Sequence, residues 1–566
     1  MKLLGRAQDP EFWSQTVRNE PAYQQFVQDR LDFWNELCEG KEILELPYSK
    51  FKIFSETGNR NKFEIPYFER RKALQAAAIL ALIFPEEEKY LNFAMDMAYA
   101  MCNEYTWCIP AHNTKIEKNN NCHLDLFATE TGFTLAQFYT ILEHRLDPLI
   151  KDRIRVELDR RIFTPFTNSG TKFWWQHRGI NNWTAVCIGS IACTTMLMRP
   201  DLYESYKPLI DPAIERYLSG FGDDGYCVEG IHYWHYGFGF FVTYARMIRI
   251  FTEGEVDYFK LPKVKAVATF LQKLFLSGTA AVSFADGMNV AEYQLGLVHF
   301  LKTEYPDDVK VYSPKYSYIE DGCGRFCLVL AAAAYLDPEV YENPSADNEP
   351  AEYYGEESQW YIKRTDSYGF AAKAGHNNEF HNHNDVGSFI FAKNSENLIV
   401  DMGRGEYTQQ YFANETRYGI IECRSKGHSM PYFDDIEQKE GKEFASTNVK
   451  CENGVFTFDM AKAYPTDKID SLVRTFTTYE DKITLEDSYK LSADIKPTER
   501  IICRYEPKIE GNVAIAGGAK IEFCTDNVES VEVLPLQTTH ESKIVYYALD
   551  FKLKAGNELT FKCTIS

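Results

Sequence analysis

The chain has 566 residues, more than a single hydrophobic core usually supports, and this length predicts two or three domains. Hydrophobic residues form 45% and charged residues 25% of the sequence, as is typical of a folded globular protein. The net charge of −21 excludes a general binder of nucleic acids or of anionic membranes.

The sequence offers no membrane-spanning or export signal. No segment reaches the roughly 18 consecutive apolar residues that a membrane span needs. The start, MKLLGRAQDPEFW, lacks the apolar region of a signal peptide. The 14 cysteines contain no CxxC pair, which is typical of reduced, buried thiols. We therefore expect a cytoplasmic protein, or a periplasmic or secreted one if a leader was removed.

Residues 1–337 carry the periodicity of helices. Apolar residues recur three and four positions apart in four stretches: 68–84, 91–104, 135–146 and 148–162. Two further stretches, 181–198 and 238–251, are apolar on nearly all sides and predict inner helices. Paired helices of similar length favour an (α/α) toroid or a solenoid over a simple bundle.

The helical periodicity of the sequence ends after residue 337. Residues 338–358 are acidic, contain prolines and show no periodicity, which is typical of a linker. From residue 359 onward apolar and polar residues alternate, and 388–403 and 471–491 each have the pattern of a β-hairpin. We therefore predict a multidomain α+β fold, with an N-terminal (α/α) toroid (1–337) followed by a C-terminal antiparallel β-sandwich (359–566).

The stretch FWWQHRGINNW, residues 173–183, gathers polar and aromatic side chains just before an apolar helix. One interpretation of Asn181 and Asn182 is that they cap this helix. A single asparagine suffices as a cap, so the second is free to bind a ligand.

A second stretch, DDGYCVEGIHYWHYG, covers residues 223–237 and combines Glu229 with several histidines and tyrosines. Tyr233 and Tyr236 lie three positions apart, so on a helix they share a face. A buried aromatic helix is the alternative interpretation, but this many polar side chains are costly to bury without partners.

The third stretch, HNHNDVGSF at 381–389, places two imidazoles two positions apart. On a strand, His381 and His383 point to the same face. With Asp401 in LIVDMG and His428 in HSMP they form a set that suits zinc. A hydrogen-bonded loop that caps the sheet is the alternative interpretation.

The three stretches are rich in Asn, His and Tyr and lack the paired carboxylates that glycoside hydrolysis needs. Removal of a proton next to a carboxylate requires donors for the developing anion, a base for the proton and an acid for the leaving oxygen. Asn can hydrogen-bond a uronate carboxylate, and His and Tyr can exchange protons. The combination points to β-elimination on a polysaccharide that contains uronic acid.

With the motifs NNW, DGYCVEGIHYWHYG, HNHNDVGSF, LIVDMG and HSMP in this order, the sequence resembles the heparinase II/III-like polysaccharide lyases over nearly its whole length. The resemblance implies an (α/α) toroid followed by an antiparallel β-sandwich. It also implies cleavage of glycosaminoglycans or alginate by β-elimination, which leaves an unsaturated uronate at the new non-reducing end.

Carried over by position, the resemblance gives Asn182 the task of neutralising the uronate carboxylate, with Asn181 in reserve. Tyr236 becomes the acid, and for some epimers also the base, with Tyr233 in reserve. His381 corresponds to the family's catalytic histidine. Several members also place a histidine at or beside the neutralising asparagine, where this chain has Trp183.

His383, Asp401 and His428 correspond to the ligands of a structural Zn²⁺, or another divalent metal, that would pin the strands and aim His381. Further residues in the motif segments are expected to contact substrate: Trp175, His177, Arg178, Glu229, Arg404, Tyr407 and Tyr411. The cationic ones would bind sulfates or carboxylates through charge-assisted hydrogen bonds.

The leading hypothesis is a lyase for glycosaminoglycans of the heparan sulfate or heparin, hyaluronan or chondroitin type. The expected partner is an acidic polysaccharide or oligosaccharide; a homodimer is left open. One alternative is an oligoalginate lyase, and another is a carbohydrate-binding protein without activity, against which the complete Asn, Tyr and His set argues. A toroid glycoside hydrolase for uronate oligosaccharides is a third, with four candidate acids: Asp125, Glu130, Asp224 and Glu229.

Overall fold

The structure, a computed structural model, describes residues 2–40, 45–113, 122–168, 173–345, 349–492, 495–540 and 542–566. It divides into two compact units, each built from three segments. The helical unit comprises Met1–Gly220, His235–Lys265 and Tyr293–Pro344. The sheet unit comprises Phe221–Trp234, Ala266–Glu292 and Ser345–Ser566.

The helical unit consists mainly of α-helices that pack on one another. Its longer helices are Gln24–Leu37, Asn61–Ile83, Glu88–Cys102, Leu126–Leu142, Pro148–Leu158, Asn182–Met198, Tyr203–Ser219, Gly239–Phe251, Leu295–Glu304 and Phe326–Tyr335. The predicted helical stretches fall on these elements, so the fold class of a helical region followed by antiparallel sheets is confirmed. Closure of the helices into a toroid stays a prediction.

The helix Asn182–Met198 forms the centre of the helical unit. It packs on three neighbours: Leu126–Leu142, Tyr203–Ser219 and Gly239–Phe251. Nearly all of its side chains are buried, because apolar residues cover every side of it. This matches the inner helix that its sequence predicts, and it fixes the position of the residue that begins the helix, Asn182.

The first large sheet of the sheet unit is antiparallel. Its strands run in the order Val528–Gln537, Val545–Leu553, Pro497–Cys503, Glu396–Ile399, Phe389–Lys393, Gly369–Lys373, Trp360–Arg364 and Ala351–Tyr354, with Tyr432–Phe433 also paired to Pro497–Cys503. The strands Phe389–Lys393 and Glu396–Ile399 form the hairpin predicted within 388–403. These strands lie between the loops that carry His383 and Asp401.

The second large sheet is also antiparallel. Its strands run in the order Thr447–Glu452, Val455–Asp459, Ile469–Thr478, Ile483–Leu491, Glu558–Ile565, Ala519–Phe523, Val513–Ala516 and Lys508–Glu510. Along Ile469–Thr478 and Ile483–Leu491 every second side chain is buried, as the alternating pattern requires of a sheet with one buried face.

The two sheets pack on one shared hydrophobic core. Phe370 and Phe476 come from opposite sheets and their ring centroids are 5.2 Å apart. Arg474 lies in this interior with 0% exposure, where Asp487 and Glu499 balance its charge. The guanidinium also donates to the carbonyl oxygens of Gly387 at 2.7 Å and Ser429 at 2.9 Å. It therefore ties together the loops that follow His383 and His428.

The division into units differs from the predicted one in two respects. Two segments inside the predicted toroid, 221–234 and 266–292, cluster with the sheets, because periodicity reports local structure and not which core a segment joins. The predicted linker contains the short helix Pro338–Glu342 and the strand Ala351–Tyr354, while residues 346–348 lie outside the described residues.

In the described part of the chain, every helix is too short or too polar to cross a membrane.

Candidate active site

Asn182 begins the central helix of the helical unit and is only 3% exposed. The preceding residue, Asn181, is the cap: its backbone is extended and its side-chain oxygen accepts a hydrogen bond from the Trp183 amide at 3.2 Å. The Oδ1 atom of Asn182 is buried and makes no hydrogen bond within the described residues. Asn181 therefore caps the helix, and the role of Asn182 at a uronate carboxylate, with Asn181 in reserve, stays a prediction.

Gly237 brings the Asn182 backbone close to the turn that carries Tyr236. A Cβ atom at position 237 would lie 3.1 Å from the Cα and Cβ atoms of Asn182, which is tighter than ordinary van der Waals contact. The turn, Trp234–Phe238, is π-helical, a local geometry that occurs frequently at functional sites. Asn182 and Tyr236 are thus neighbours in space, although they come from different helices.

Tyr236 is held by a carboxylate and a guanidinium. Its hydroxyl donates to Glu130, and Arg325 donates from Nε to the other oxygen of Glu130 at 2.9 Å. The guanidinium of Arg325 also lies over the Tyr236 ring, 4.0 Å from its centroid, and pairs with Asp321. Burial and the adjacent Glu130 carboxylate raise the pKa of Tyr236 well above its usual value, so the phenol keeps its proton.

Asp286 is the centre of a second cluster, in the sheet unit, and no sequence motif predicted its role. The carboxylate is 0% exposed and accepts hydrogen bonds from five side chains: His381 Nδ1 (2.7 Å), His383 Nε2 (3.2 Å), Tyr407 Oη (2.7 Å), Tyr411 Oη (2.5 Å) and Arg417 Nη2 (3.3 Å). Asp286 stands in the turn-like segment SFADGMN, where a single Asp–Gly dipeptide signals a turn rather than a site.

Two opposing effects determine the charge of Asp286. Burial alone would raise its pKa, but the cationic and hydrogen-bonding partners His381, His383 and Arg417 outweigh burial and hold the pKa well below its usual value. The group is therefore a carboxylate that accepts hydrogen bonds and donates none.

His381 is fixed on three sides. Its Nδ1 donates to Asp286, its ring stacks on Tyr233 with centroids 4.1 Å apart, and its Nε2 lies 3.7 Å from Glu229. The side chain is 18% exposed, and its φ of 57° is left-handed, a strained conformation for a residue other than glycine. With Nδ1 donating a hydrogen bond to Asp286, the neutral form of the imidazole carries its lone pair on Nε2, where it can act as a base.

Tyr233 belongs to the His381 cluster rather than to that of Tyr236. Its hydroxyl lies 2.9 Å from Tyr407 Oη, and Tyr407 in turn donates to Asp286. The two tyrosines that the sequence places on one helical face therefore serve different clusters, because a π-helical turn separates them.

His383, Asp401 and His428 form a buried group in which one ligand atom from each lies within 4.8 Å of the others. Nδ1 of His383 is buried and makes no hydrogen bond in the described part of the chain, whereas its Nε2 donates to Asp286. His428 Nδ1 is 3.0 Å from Asp401 Oδ2. The Nδ1 atom of His383, the imidazole of His428 and the carboxylate of Asp401 suit a zinc-type ion. Asp286 is placed like the outer carboxylate that commonly orients a metal-binding histidine.

The residues expected to contact substrate fall into different environments. Trp175 is 1% exposed and stacks on Phe173 at 5.0 Å, so it belongs to the helical core and not to a sugar-binding surface. Tyr411 is 0% exposed and serves Asp286, which corrects its expected contact with substrate. His177 and Arg178 are exposed.

Three further residues expected to contact substrate lie in the sheet unit. Glu229 is buried near His381. Tyr407 is half-buried, and the Arg404 guanidinium lies 5.0 Å from the centroid of its ring. Both side chains remain candidates for contact with substrate.

The candidate hydrolase acids Asp125 and Asp224 have structural partners. Asp125 caps the helix Leu126–Leu142 by accepting from the Ala128 amide at 2.7 Å. Asp224 accepts from the Ser358 amide at 2.9 Å. Both carboxylates therefore accept hydrogen bonds from backbone amides, which is a structural role for an aspartate.

The chain is similar in structure to solved polysaccharide lyases. Heparan sulfate lyase HepC from Pedobacter heparinus matches with a TM-score of 0.61 at 12% identity, over 99% of this chain and 86% of that chain. A structure of heparinase III matches with a TM-score of 0.63 at 13% identity, over 100% and 85%. Chondroitin AC lyase from Streptomyces coelicolor matches with a TM-score of 0.51 at 8% identity, over 96% and 82%.

No protein-family model and no curated protein matches the sequence. The similarity to these solved structures covers nearly all of the chain at low identity, and it therefore concerns the fold. The chain has the fold of the heparan sulfate and chondroitin lyases, as its motifs implied.

Proposed function

We propose that the protein is a polysaccharide lyase that cleaves uronic-acid-containing glycosaminoglycans of the heparan sulfate or heparin, hyaluronan or chondroitin type by β-elimination. The observation that carries the proposal is that Gly237, the residue after Tyr236, packs closely against Asn182 within the helical unit. The side-chain amide of Asn182 can donate from its nitrogen to a uronate carboxylate, and the protonated phenol of Tyr236 can donate to a leaving oxygen.

In this proposal Asn182 binds the uronate carboxylate and stabilises the anion that develops when the C5 proton leaves. A base takes the C5 proton, and the electron pair of that C–H bond becomes the C4–C5 double bond. The C4–O4 bond breaks with its electron pair on O4, and Tyr236 donates its proton to that oxygen. Solvent then returns a proton to Tyr236 and removes one from the base.

The resemblance makes His381 the counterpart of the family's catalytic histidine and lets Tyr236 also act as the base for some epimers. We propose His381 as the base, and the geometry inside the sheet unit suits this role. Asp286 fixes the tautomer that leaves Nε2 unprotonated, and stacking on Tyr233 fixes the plane of the ring. A base whose orientation is set before substrate binds loses little entropy when it reacts.

His383, Asp401 and His428 would hold the proposed metal, which would supply positive charge to these three ligands. Asp286 links His383 to His381 by hydrogen bonds, so fixing His383 would also fix the orientation of His381. The role of the metal is structural, and the residues of the chain carry out the proton transfers.

We expect the purified protein to contain one divalent metal ion per chain, and His428→Ala to lose it with a lower melting temperature. Ligand binding at about 1,000 times Kd adds about 4 kcal/mol to the free energy of unfolding, which sets the scale of the loss. Metal content by elemental analysis and thermal unfolding with and without chelator check this. His299→Ala is the control, because His299 is buried in the helical unit away from the three ligands. A protein that contains no metal and has the same melting temperature with and without chelator would contradict the metal site. The lyase proposal would be unaffected by that result.

Two alternatives to the proposed function differ in their chemistry. An oligoalginate lyase would use the same elimination on a different uronate. A glycoside hydrolase would need a carboxylic acid to protonate the leaving oxygen. Glu130 has a raised pKa, chiefly because it is buried, but Arg325 and Tyr236 occupy both of its oxygens. This favours elimination over hydrolysis.

The substrate is tested by incubating the protein with heparan sulfate, hyaluronan, chondroitin sulfate and alginate while following the ultraviolet absorbance of an unsaturated uronate. We expect a rise with at least one glycosaminoglycan. A rise with alginate alone would replace the proposed substrate class, and no rise with any uronate polymer or oligomer would overturn the lyase proposal.

A further inference from the structure

A small cavity lies between helices of the helical unit. Its walls come from the helices Leu126–Leu142, Gly239–Phe251, Leu295–Glu304 and Phe326–Tyr335, together with Leu4 near the start of the chain. The volume of the cavity is about 30 Å³. A single buried water needs about 10–15 Å³ of such space, so the cavity admits about two species of that size and excludes a sugar ring. A ligand of this cavity is therefore a small ion.

Arg246 brings a positive charge to the cavity. The residue lines the cavity and is only 8% exposed. Its partners among the described residues are the carbonyl oxygen of Leu3, 3.5 Å from Nη1, and the side chain of Tyr335, whose ring centroid lies 5.0 Å from the guanidinium carbon. Burial raises the pKa of Tyr335, so its hydroxyl keeps the proton. Both partners of the guanidinium are therefore uncharged.

Two other buried arginines show the usual solution to such a charge. Arg70, also 8% exposed, lies 3.1 Å from a carboxylate oxygen of Glu104, and Arg500 lies 2.6 Å from one of Asp550. Arg246 forms no ion pair within the described ranges, and the residues that line the cavity include no aspartate or glutamate. Because a buried cation without a counterion is costly, an anion in the cavity would stabilise the helical unit.

Gln137 contributes a second polar group to the cavity wall. It is 2% exposed, and its Oε1 atom is buried and makes no hydrogen bond in the described part of the chain. A water in the cavity can donate one hydrogen to this oxygen and the other to an anion beside Arg246. Most of the remaining lining side chains are apolar, such as Val242, Leu297 and Phe300. The polar groups and the volume thus suit one small anion and one water.

We propose that this cavity binds a small monovalent anion of the chloride type, held by the Arg246 guanidinium and linked through a water to Gln137. One guanidinium balances the single charge of a halide, whereas a sulfate or phosphate needs more donors and more space than these walls provide. The anion joins the helix Gly239–Phe251 to the helix Leu126–Leu142. The site does not depend on the proposed lyase function, since neither Asn182 nor Tyr236 lines the cavity.

The first test measures the melting temperature of the full chain in sodium chloride and in sodium gluconate at equal ionic strength, because gluconate is too large for the cavity. We expect wild type to gain stability from chloride with a saturable concentration dependence. Arg246→Met removes the charge, and we expect this dependence to be lost. Arg70→Met is the matched control, because it removes an equally buried arginine that has a carboxylate partner, and its chloride dependence should match wild type.

The second test locates the anion directly in crystals of the wild-type protein grown with sodium bromide, by anomalous scattering. We expect a bromide within hydrogen-bonding distance of the Arg246 guanidinium. Water alone in the cavity, or bromide only at other positions, would overturn the site. An Arg246→Met variant that depends on chloride as wild type does would overturn it as well. If Arg246→Met does not fold, the position of bromide in the wild type decides the question.

Discussion

We expect Tyr236→Phe to lower kcat by about 10²–10⁴-fold while leaving the fold intact. The phenylalanine ring keeps the packing against the Arg325 guanidinium, and Glu130 keeps its hydrogen bonds from Arg325. The substitution therefore removes the proton that the leaving oxygen needs and little else. Product formation under saturating substrate and the thermal unfolding transition measure the two effects separately.

Tyr233→Phe is the matched control for this prediction. The ring that stacks on His381 remains and only the hydroxyl contact to Tyr407 is lost, so we expect a much smaller effect on kcat. If Tyr236→Phe turned over at the wild-type rate while Tyr233→Phe did not, the acid would be Tyr233 and the assignment made here would be wrong.

Asp286→Asn should damage both stability and turnover. An asparagine keeps one accepting oxygen, and its amide nitrogen cannot accept the hydrogen bonds made to the other. The substitution also leaves the Arg417 guanidinium without a carboxylate partner. Breaking a buried ion pair from one side costs about 3–5 kcal/mol of the free energy of unfolding. The His381 tautomer is no longer imposed, so we expect kcat to fall by about 10²-fold or more as well.

Asp550→Asn separates the loss of stability from the loss of function. Asp550 is a buried carboxylate that accepts from Arg500 at 2.7 and 2.6 Å and from Tyr432 at 3.0 Å, and it contacts neither His381 nor the proposed metal ligands. We expect this variant to be destabilised with an unchanged kcat per folded molecule. The metal content of Asp286→Asn shows whether a lower kcat arises from loss of the metal that His383 would bind. A wild-type kcat in Asp286→Asn would contradict the orientation of His381 by Asp286.

The sequence allowed the local elements and part of the site to be predicted. Helical and alternating periodicities locate the central helix at 182–198 and the hairpin of 388–403, since each pattern reports how one element is buried. The reasoning that one asparagine caps and the other is free holds for Asn181 and Asn182, because it depends on helix-start chemistry alone.

Other features could not be predicted because they depend on contacts between distant segments. Asp286 lies 95 positions from His381, and no local pattern distinguishes it from an ordinary turn aspartate. The assignment of 221–234 and 266–292 to the sheet unit likewise depends on tertiary packing, which periodicity does not record.

The different roles proposed for His381 and His383 depend on a local sequence pattern and also on contacts between distant segments. The two-residue spacing predicts a shared face, and in the structure both imidazoles do meet one carboxylate, Asp286. Their surroundings nevertheless differ, since His381 is partly exposed and His383 is fully buried beside Asp401 and His428. The catalytic role of one and the metal-binding role of the other stay predictions.

The central claim is that this chain breaks uronate glycosides by elimination, and the masses of the products test it most directly. The measurement is mass spectrometry of a defined glycosaminoglycan oligosaccharide before and after incubation with the protein. Elimination predicts two fragments whose masses sum to that of the substrate, one of them carrying an unsaturated uronate. Fragments whose summed mass exceeds that of the substrate by one water would show hydrolysis and contradict the account.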